Sequence, residues 1–246
     1  MSKIKAFIFD VGGVFRDSSR AINFALREAF EKYGLSFPFS PSETWHLMAF
    51  KEFNDFPQLA EALFYIIRDN RSVEEILDRN NPVSFVNSLK KKYTCDQEFL
   101  DKLSGHVKSI FYRSKHLMKT IEPSVRGAKV LHRKGYKIGA VTVTKAEFTR
   151  KWLEENVGDF FEVVIGEAYA DKAGGIVKAC KHINIPPKES AFVGDTEIDI
   201  RSAKKAGCVS IAVLCGMGTK RFLEKENPDY IFRDVSEIAG YFRSVR

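Results

Sequence analysis

Two short apolar runs in this chain stop at carboxylates. Ala6-Phe7-Ile8-Phe9 leads directly into Asp10, and after Val11 comes the glycine pair Gly12-Gly13. Ser190-Ala191-Phe192-Val193 leads into Gly194 and Asp195, with Glu197 and Asp199 close behind. In an open parallel α/β sheet ligands bind outside the carboxyl ends of the strands, so an acid at such a point stands where chemistry is expected. Asp-x-Gly-Gly alone is also a turn signal, because glycine supplies positive φ and aspartate caps local backbone. The second acidic cluster favours the chemical reading. Carboxylates delivered from different strands repel one another unless a cation neutralises them, and hard oxygen donors suit a divalent ion such as Mg²⁺. Thr142, at the end of the run from Tyr136 to Val141, offers a hydroxyl to an anion. Lys172, a short loop beyond the run from Glu162 to Ile165, offers a positive charge to a phosphoryl oxygen.

The elements needed to position these groups can be read from the hydrophobic pattern. From Tyr136 onward, strands and helices alternate with the lengths of βα units: strand Tyr136 to Val141, helix Lys145 to Asn156, strand Phe161 to Ile165, helix Gly174 to His182, strand Ala191 to Val193, helix Glu197 to Ala206 and strand Val209 to Leu214. The first strand, Lys3 to Phe9, joins them, and right-handed crossovers bring Asp10, Thr142 and Asp195 to one rim of a parallel sheet. Between Ser18 and about Met118 the pattern is helical instead. Ile22, Ala25, Leu26, Ala29, Phe30 and Tyr33 share one face, Ser40-Pro41-Ser42-Glu43 combines a capping box with proline at the first helical position, and Ser72-Val73-Glu74-Glu75 repeats the box. Further helices are expected over Pro57 to Asp69, Pro82 to Lys92 and Asp96 to Tyr112. The fold class is therefore α/β: a Rossmann-like parallel sheet core, residues 1–16 and 119–246, with an all-helical cap, residues 17–118, inserted after the first motif and closing over the rim. Asp17 is expected to cap the first helix of the insert.

The ordered set of Asp10, Thr142, Lys172 and the pair Asp195 and Asp199 resembles the haloacid dehalogenase superfamily of aspartate-nucleophile phosphohydrolases, in its phosphoglycolate phosphatase-like branch. Asp17-Ser18, the stretch from Asp199 to Gly207 and the segment from Pro228 to Phe232 extend the resemblance over nearly the whole chain. The resemblance implies a four- or five-helix cap and a Mg²⁺-dependent phosphatase acting on a small phosphorylated metabolite. Asp10 would be the nucleophile and Lys172 the catalytic cation. Thr142 and Val143 would bind the phosphoryl group together with loop amides around Gly13, and Asp10, the Gly12 carbonyl, Asp195 and Asp199 would hold the metal. The chain departs from the family pattern at three points. Gly12 stands where phosphatases of the family carry the acid/base aspartate, a group that typically contributes about 10²–10⁴-fold. Val143 stands where asparagine is usual, leaving Thr144 as a rival for Thr142, and Ala173-Gly174-Gly175 replaces the usual prolines after the lysine.

Composition bounds the partners. The chain has 246 residues, 44% hydrophobic, with 21 Phe, enough for a sizeable aromatic core. Its formal net charge of +7 favours anionic ligands, but the basic residues are scattered, and Lys90-Lys91-Lys92 reads as a solvated helix end; no nucleic-acid motif accompanies them. Cys95, Cys180, Cys208 and Cys215 lack metal-site spacing and are expected to be reduced core thiols. No signal segment or membrane-spanning stretch is evident, so cytoplasmic residence without a membrane partner is expected, and the pattern leaves the oligomeric state open. Arg16 and Trp45 are further candidates to face a substrate, and the five histidines are scattered without ligand spacing. Two other readings follow from Gly12: a phosphonatase-like enzyme using Lys51 as a Schiff-base lysine, and a binding protein that keeps the fold without efficient turnover.

Overall fold

The computed structural model describes residues 4–243. The chain divides into two compact units, residues 1–17 with 119–246 and residues 18–118. The first unit opens with β1 (Ala6–Phe9) and β2 (Arg16–Asp17). The second contains α1 (Ser19–Lys32), α2 (Pro41–Leu47), α3 (Phe56–Arg68), α4 (Val73–Leu77), α5 (Pro82–Lys92) and α6 (Gln97–Arg113). The chain then continues through β3 (Lys119–Thr120), α7 (Glu122–Arg133), β4 (Lys137–Val141), α8 (Ala146–Asn156), β5 (Val163–Ile165) and α9 (Lys172–His182). Last come β6 (Ser190–Gly194), α10 (Glu197–Ala206), β7 (Val209–Val213), α11 (Lys220–Lys225), β8 (Tyr230–Phe232) and α12 (Val235–Tyr241).

Six strands form one parallel sheet in the order β5-β4-β1-β6-β7-β8. A parallel sheet covered on both faces needs apolar residues on both sides of each strand, which is why β1 reads as an unbroken apolar run. Its alternate residues enter different layers. Phe7 and Phe9 pack with Val125 and Leu131 of α7 and Ile238 of α12, whereas Ala6 and Ile8 pack with Ile176 of α9 and Ala203 of α10. The order changes direction at β1, with β4 on one side and β6 on the other, in the registers Phe9↔Ala140 and Phe9↔Val193. Residues that follow these three strands therefore share one rim, the topological switch point where doubly wound sheets bind ligands.

Several boundaries differ from the sequence reading. The first strand starts at Ala6, and Lys3 lies outside the described residues. Asp17 pairs with Lys119 in the antiparallel β2-β3 ribbon, and Ser18, one residue later than expected, holds the N-cap position of α1 without a side-chain cap bond of its own. Phe161 precedes β5 and packs its ring against Phe15. The helical unit holds six α-helices among the described residues rather than four or five.

Local chemistry explains the helix starts in that unit. The Ser40–Glu43 capping box is complete at α2, with Ser40 Oγ accepting from Glu43 N and Glu43 Oε2 accepting from Ser40 N at 2.9 Å. Ser72 supplies only its half, accepting from Glu75 N at 3.1 Å. Within the unit α1 packs on α2 and α6, and α3 on α5 and α6. Lys90 and Lys92 at the end of α5 pair with Glu61 and Asp69, so the triple-lysine run is a helix terminus bearing ion pairs. Lys51 is exposed at the start of a 3₁₀ turn, and the Trp45 side chain is buried.

Candidate active site

Asp10 is the first residue beyond β1. Its N–H still donates to Val193 O at 2.8 Å, so the backbone is held by the sheet while the side chain stands past the last strand position. The chain then curls tightly, as Phe15 N and Arg16 N both donate to Val11 O and Gly13 N donates to Arg16 O. Gly13 adopts φ +74°, a left-handed conformation open to glycine at little cost.

Asp195 follows β6 and is wholly buried. Its Oδ2 accepts from Met217 N at 2.7 Å, and its carbonyl accepts from Gly218 N at 2.9 Å. A Cβ on Gly13 would lie 1.9 Å from Asp195 Oδ2 and one on Gly216 would lie 2.1 Å from it, so the carboxylate fits only because both positions lack side chains. Asp199 sits one helical turn along, at the third position of α10. Its Oδ2 accepts from Asp195 N, Thr196 N and Thr196 Oγ1, the last at 2.7 Å, which completes a capping box with Thr196. Asp199 is thereby a structural cap and a site residue at once.

Lys172 is the first residue of α9 rather than a loop residue preceding it, and Asp171 caps the helix by accepting from Gly174 N at 3.0 Å. The ammonium is buried between two acids, 3.2 Å from Asp10 Oδ2 and 2.5 Å from Asp199 Oδ1. Burial works against this charge, but Asp10 and Asp199 outweigh it and hold the lysine's pKa above its ordinary value. Burial pushes the Asp10 carboxyl up to about 6, with Lys172 opposing and Asp199 adding to the rise. Asp195 is raised well above the carboxylate range by burial and by its neighbours Asp199 and Asp10.

One ligand oxygen from each of Asp10, Asp195 and Asp199 lies within 4.8 Å of the others. Asp195 Oδ1 is buried with no hydrogen-bond partner, and Asp199 Oδ1 has the Lys172 ammonium close by but no aligned hydrogen bond. Buried carboxylate oxygens are normally satisfied, and oxygen-only donors at this spacing suit a small hard cation. The residues therefore fit a divalent metal ion.

Thr142 follows β4, at the same rim as Asp10. Its N–H donates to Ile165 O at 2.9 Å, and its Oγ1 accepts from Thr144 N at 3.3 Å, leaving the hydroxyl proton free to donate. Thr142 is buried and Val143 exposed. Gly12 forms a bridge with Arg16, and a Cβ built on Gly12 would meet no atom within 4 Å. The Arg16 side chain is buried against the rings of Phe148 and Trp152.

Asp10, Lys172, Asp195 and Asp199 are thus brought into one cluster, with Gly13 in contact with it. Sequence reasoning missed Thr196 and the turn from Gly216 to Gly218, whose amides hold Asp195. The sequence marks that turn only by two glycines, Gly216 and Gly218, shortly after the apolar run that ends at Leu214, which does not say which carboxylate the turn serves.

The chain is similar to known proteins over nearly its whole length. The phosphoglycolate phosphatase of Shigella sonnei is 25% identical over 244 residues, covering 96% of this chain and 91% of that protein. A solved structure of a candidate phosphoglycolate phosphatase from Lactobacillus delbrueckii subsp. bulgaricus superposes with a TM-score of 0.75 at 21% identity, covering 98% of this chain and 99% of that one. A haloacid dehalogenase-like family hydrolase from Streptococcus pneumoniae gives a TM-score of 0.67 at 19% identity, covering 99% and 100%. At such identities the two structures speak to the fold alone. The family model for haloacid dehalogenase-like hydrolases matches residues 4–207, a span that includes Asp10, Thr142, Lys172, Asp195 and Asp199, and the chain belongs to that family.

Proposed function

We propose that the protein is a Mg²⁺-dependent phosphatase that removes phosphate from a small phosphorylated metabolite through an aspartyl-phosphate on Asp10. The observation that carries this reading is the buried set at the switch point: one acid beyond β1, one in the turn after β6, one in the first turn of α10, and a lysine ammonium shared between Asp10 and Asp199. Asp10, Asp195 and Asp199, with the Gly12 carbonyl, would hold Mg²⁺, which when bound supplies positive charge to the phosphoryl oxygens.

Asp10 is fixed by its backbone bond to β6, so its carboxylate can meet phosphorus without reorganising. Its oxygen forms a bond to phosphorus as the bond to the leaving oxygen breaks, and Lys172, Thr142 and loop amides near Gly13 offset charge on the equatorial oxygens. Water then attacks the aspartyl-phosphate at phosphorus, releasing inorganic phosphate and restoring the carboxylate. Gly12 provides no proton for the leaving oxygen, which favours leaving groups that depart as stable anions. The phosphoglycolate phosphatase relatives add a short phosphorylated acid to the substrates to try, with slower turnover expected because its leaving oxygen departs as an alkoxide.

Acetyl phosphate and p-nitrophenyl phosphate, assayed with and without Mg²⁺, test the proposal. Turnover that requires the metal and falls at least ~10³-fold in Asp10→Asn is expected. Turnover that survives Asp10→Asn would remove Asp10 from the mechanism.

A further inference from the structure

The loop that carries the nucleophile lacks a proton donor but holds a fixed positive charge. Arg16 is 8% exposed, and its Nε and Nη1 are buried with no hydrogen bond among the described residues. Its guanidinium carbon lies 5.9 Å from the centre of the Phe148 ring and 5.4 Å from that of Trp152, so two aromatic side chains of α8 flank the cation. The backbone of Arg16 closes onto the Asp10 loop, through the Gly12↔Arg16 bridge and the bond from Gly13 N to Arg16 O at 2.9 Å. Asp10 is near enough for its charge to act on the guanidinium, yet its carboxylate is engaged with Lys172.

A desolvated guanidinium with unused donors is expensive to keep, and an anion that accepts from it removes that cost. The phosphoryl group already has Lys172, Thr142 and the cation that Asp10, Asp195 and Asp199 would hold. Arg16 is joined through its backbone to the stretch around Gly12, the one place on the loop where an acid/base side chain is missing.

Building on the phosphatase reading, we propose that Arg16 binds an anionic group on the leaving fragment of the substrate, a carboxylate or a second phosphoryl group, and so selects phosphorylated compounds whose leaving fragment is itself charged. Arginine suits either anion, because its planar donors pair with carboxylate and phosphate alike.

Calorimetric titration in the presence of Mg²⁺ tests this without turnover. The probes are 3-phosphonopropionate, methylenediphosphonate and, as the tail without charge, propylphosphonate. The wild type is expected to bind one or both charged-tail ligands at least about 10-fold more tightly than propylphosphonate. Arg16→Met should erase that margin while changing the Kd of propylphosphonate less than about 3-fold, and Arg16→Lys should recover part of it. Whichever charged ligand loses more identifies the anion. Thermal melting of each variant checks folding. Equal weakening of all three ligands, no change on any, or a wild type indifferent to tail charge overturns the proposal. A wild type that discriminates through Arg16 yet hydrolyses no phosphate keeps the anion site and removes the phosphatase reading. A wild type that hydrolyses acetyl phosphate with no Arg16-dependent discrimination does the reverse.

Discussion

Gly12 and Gly13 are adjacent, yet a side chain added at each has an opposite fate. At Gly12 a Cβ has open space around it and the backbone lies outside the left-handed region, whereas at Gly13 it would strike Asp195 Oδ2 on a φ of +74°. Gly12→Asp should therefore fold normally and supply the missing proton donor, raising kcat/KM on an alkyl phosphate such as glycerol phosphate by about 10²-fold, with a smaller gain on acetyl phosphate. Steady-state kinetics on the two substrates check this, and equal gains on both would contradict it. Gly13→Ala should instead displace Asp195 and cost about 2–4 kcal/mol in urea unfolding, since neither the carboxylate nor the φ can adapt. At this scale Asp10, Asp195 and Asp199 were legible because apolar runs end beside them. The burial of Arg16 was not, because its flanking rings belong to α8, far along the chain.

Helix α9 places the lysine. Its first turn reads Lys-Ala-Gly-Gly, a poor helix sequence, and the glycines have packing reasons: a Cβ on Gly174 would lie 2.1 Å from Asp171 Oδ2, and one on Gly175 would press on Val141 and Ala168. Glycine thus admits the cap and the close approach to β4, and Asp171 offsets the lost propensity. That is why the sequence reading placed the helix start at Gly174, two residues late, and left Lys172 in a loop. Asp171→Ala should lower stability by about 1 kcal/mol in urea unfolding and reduce kcat by shifting the Lys172 ammonium, while Asp96→Ala, at a cap in the other unit, should cost similar stability and leave kcat unchanged. The alternation of strands and helices from β4 to β7 was legible, but not the order of the strands in the sheet. The turn from Gly216 to Gly218 was not, since its role depends on β7 lying beside β6.

The whole molecule should register the acid cluster in its stability. Asp10 has a folded pKa near 6, above the ordinary value, and Asp195 is also raised, so in metal-free protein the folded state holds these protons more tightly than the unfolded chain. Their contribution to stability is therefore greatest at low pH and falls as pH rises through about 6. Mg²⁺ should reverse that loss: its increment in Tm is expected to be larger at pH 7.5 than at pH 5.5, where protons compete for the same oxygens, and to vanish in Asp195→Asn. Differential scanning calorimetry at the two pH values measures it, and an increment independent of pH would count against metal binding by these acids. Among the described residues no helix is long and apolar enough to cross a membrane.

The mounting of Asp10 has a kinetic consequence. β1 lies between two hydrogen-bonded neighbours, and its four residues are fully inaccessible to solvent. Segments of that kind exchange their amide hydrogens for deuterium only when the domain opens globally, whereas exposed loops exchange through small fluctuations. The amides of residues 6–9 should accordingly be among the slowest to deuterate, so the carboxylate is carried by backbone that stays in register through every local excursion short of unfolding.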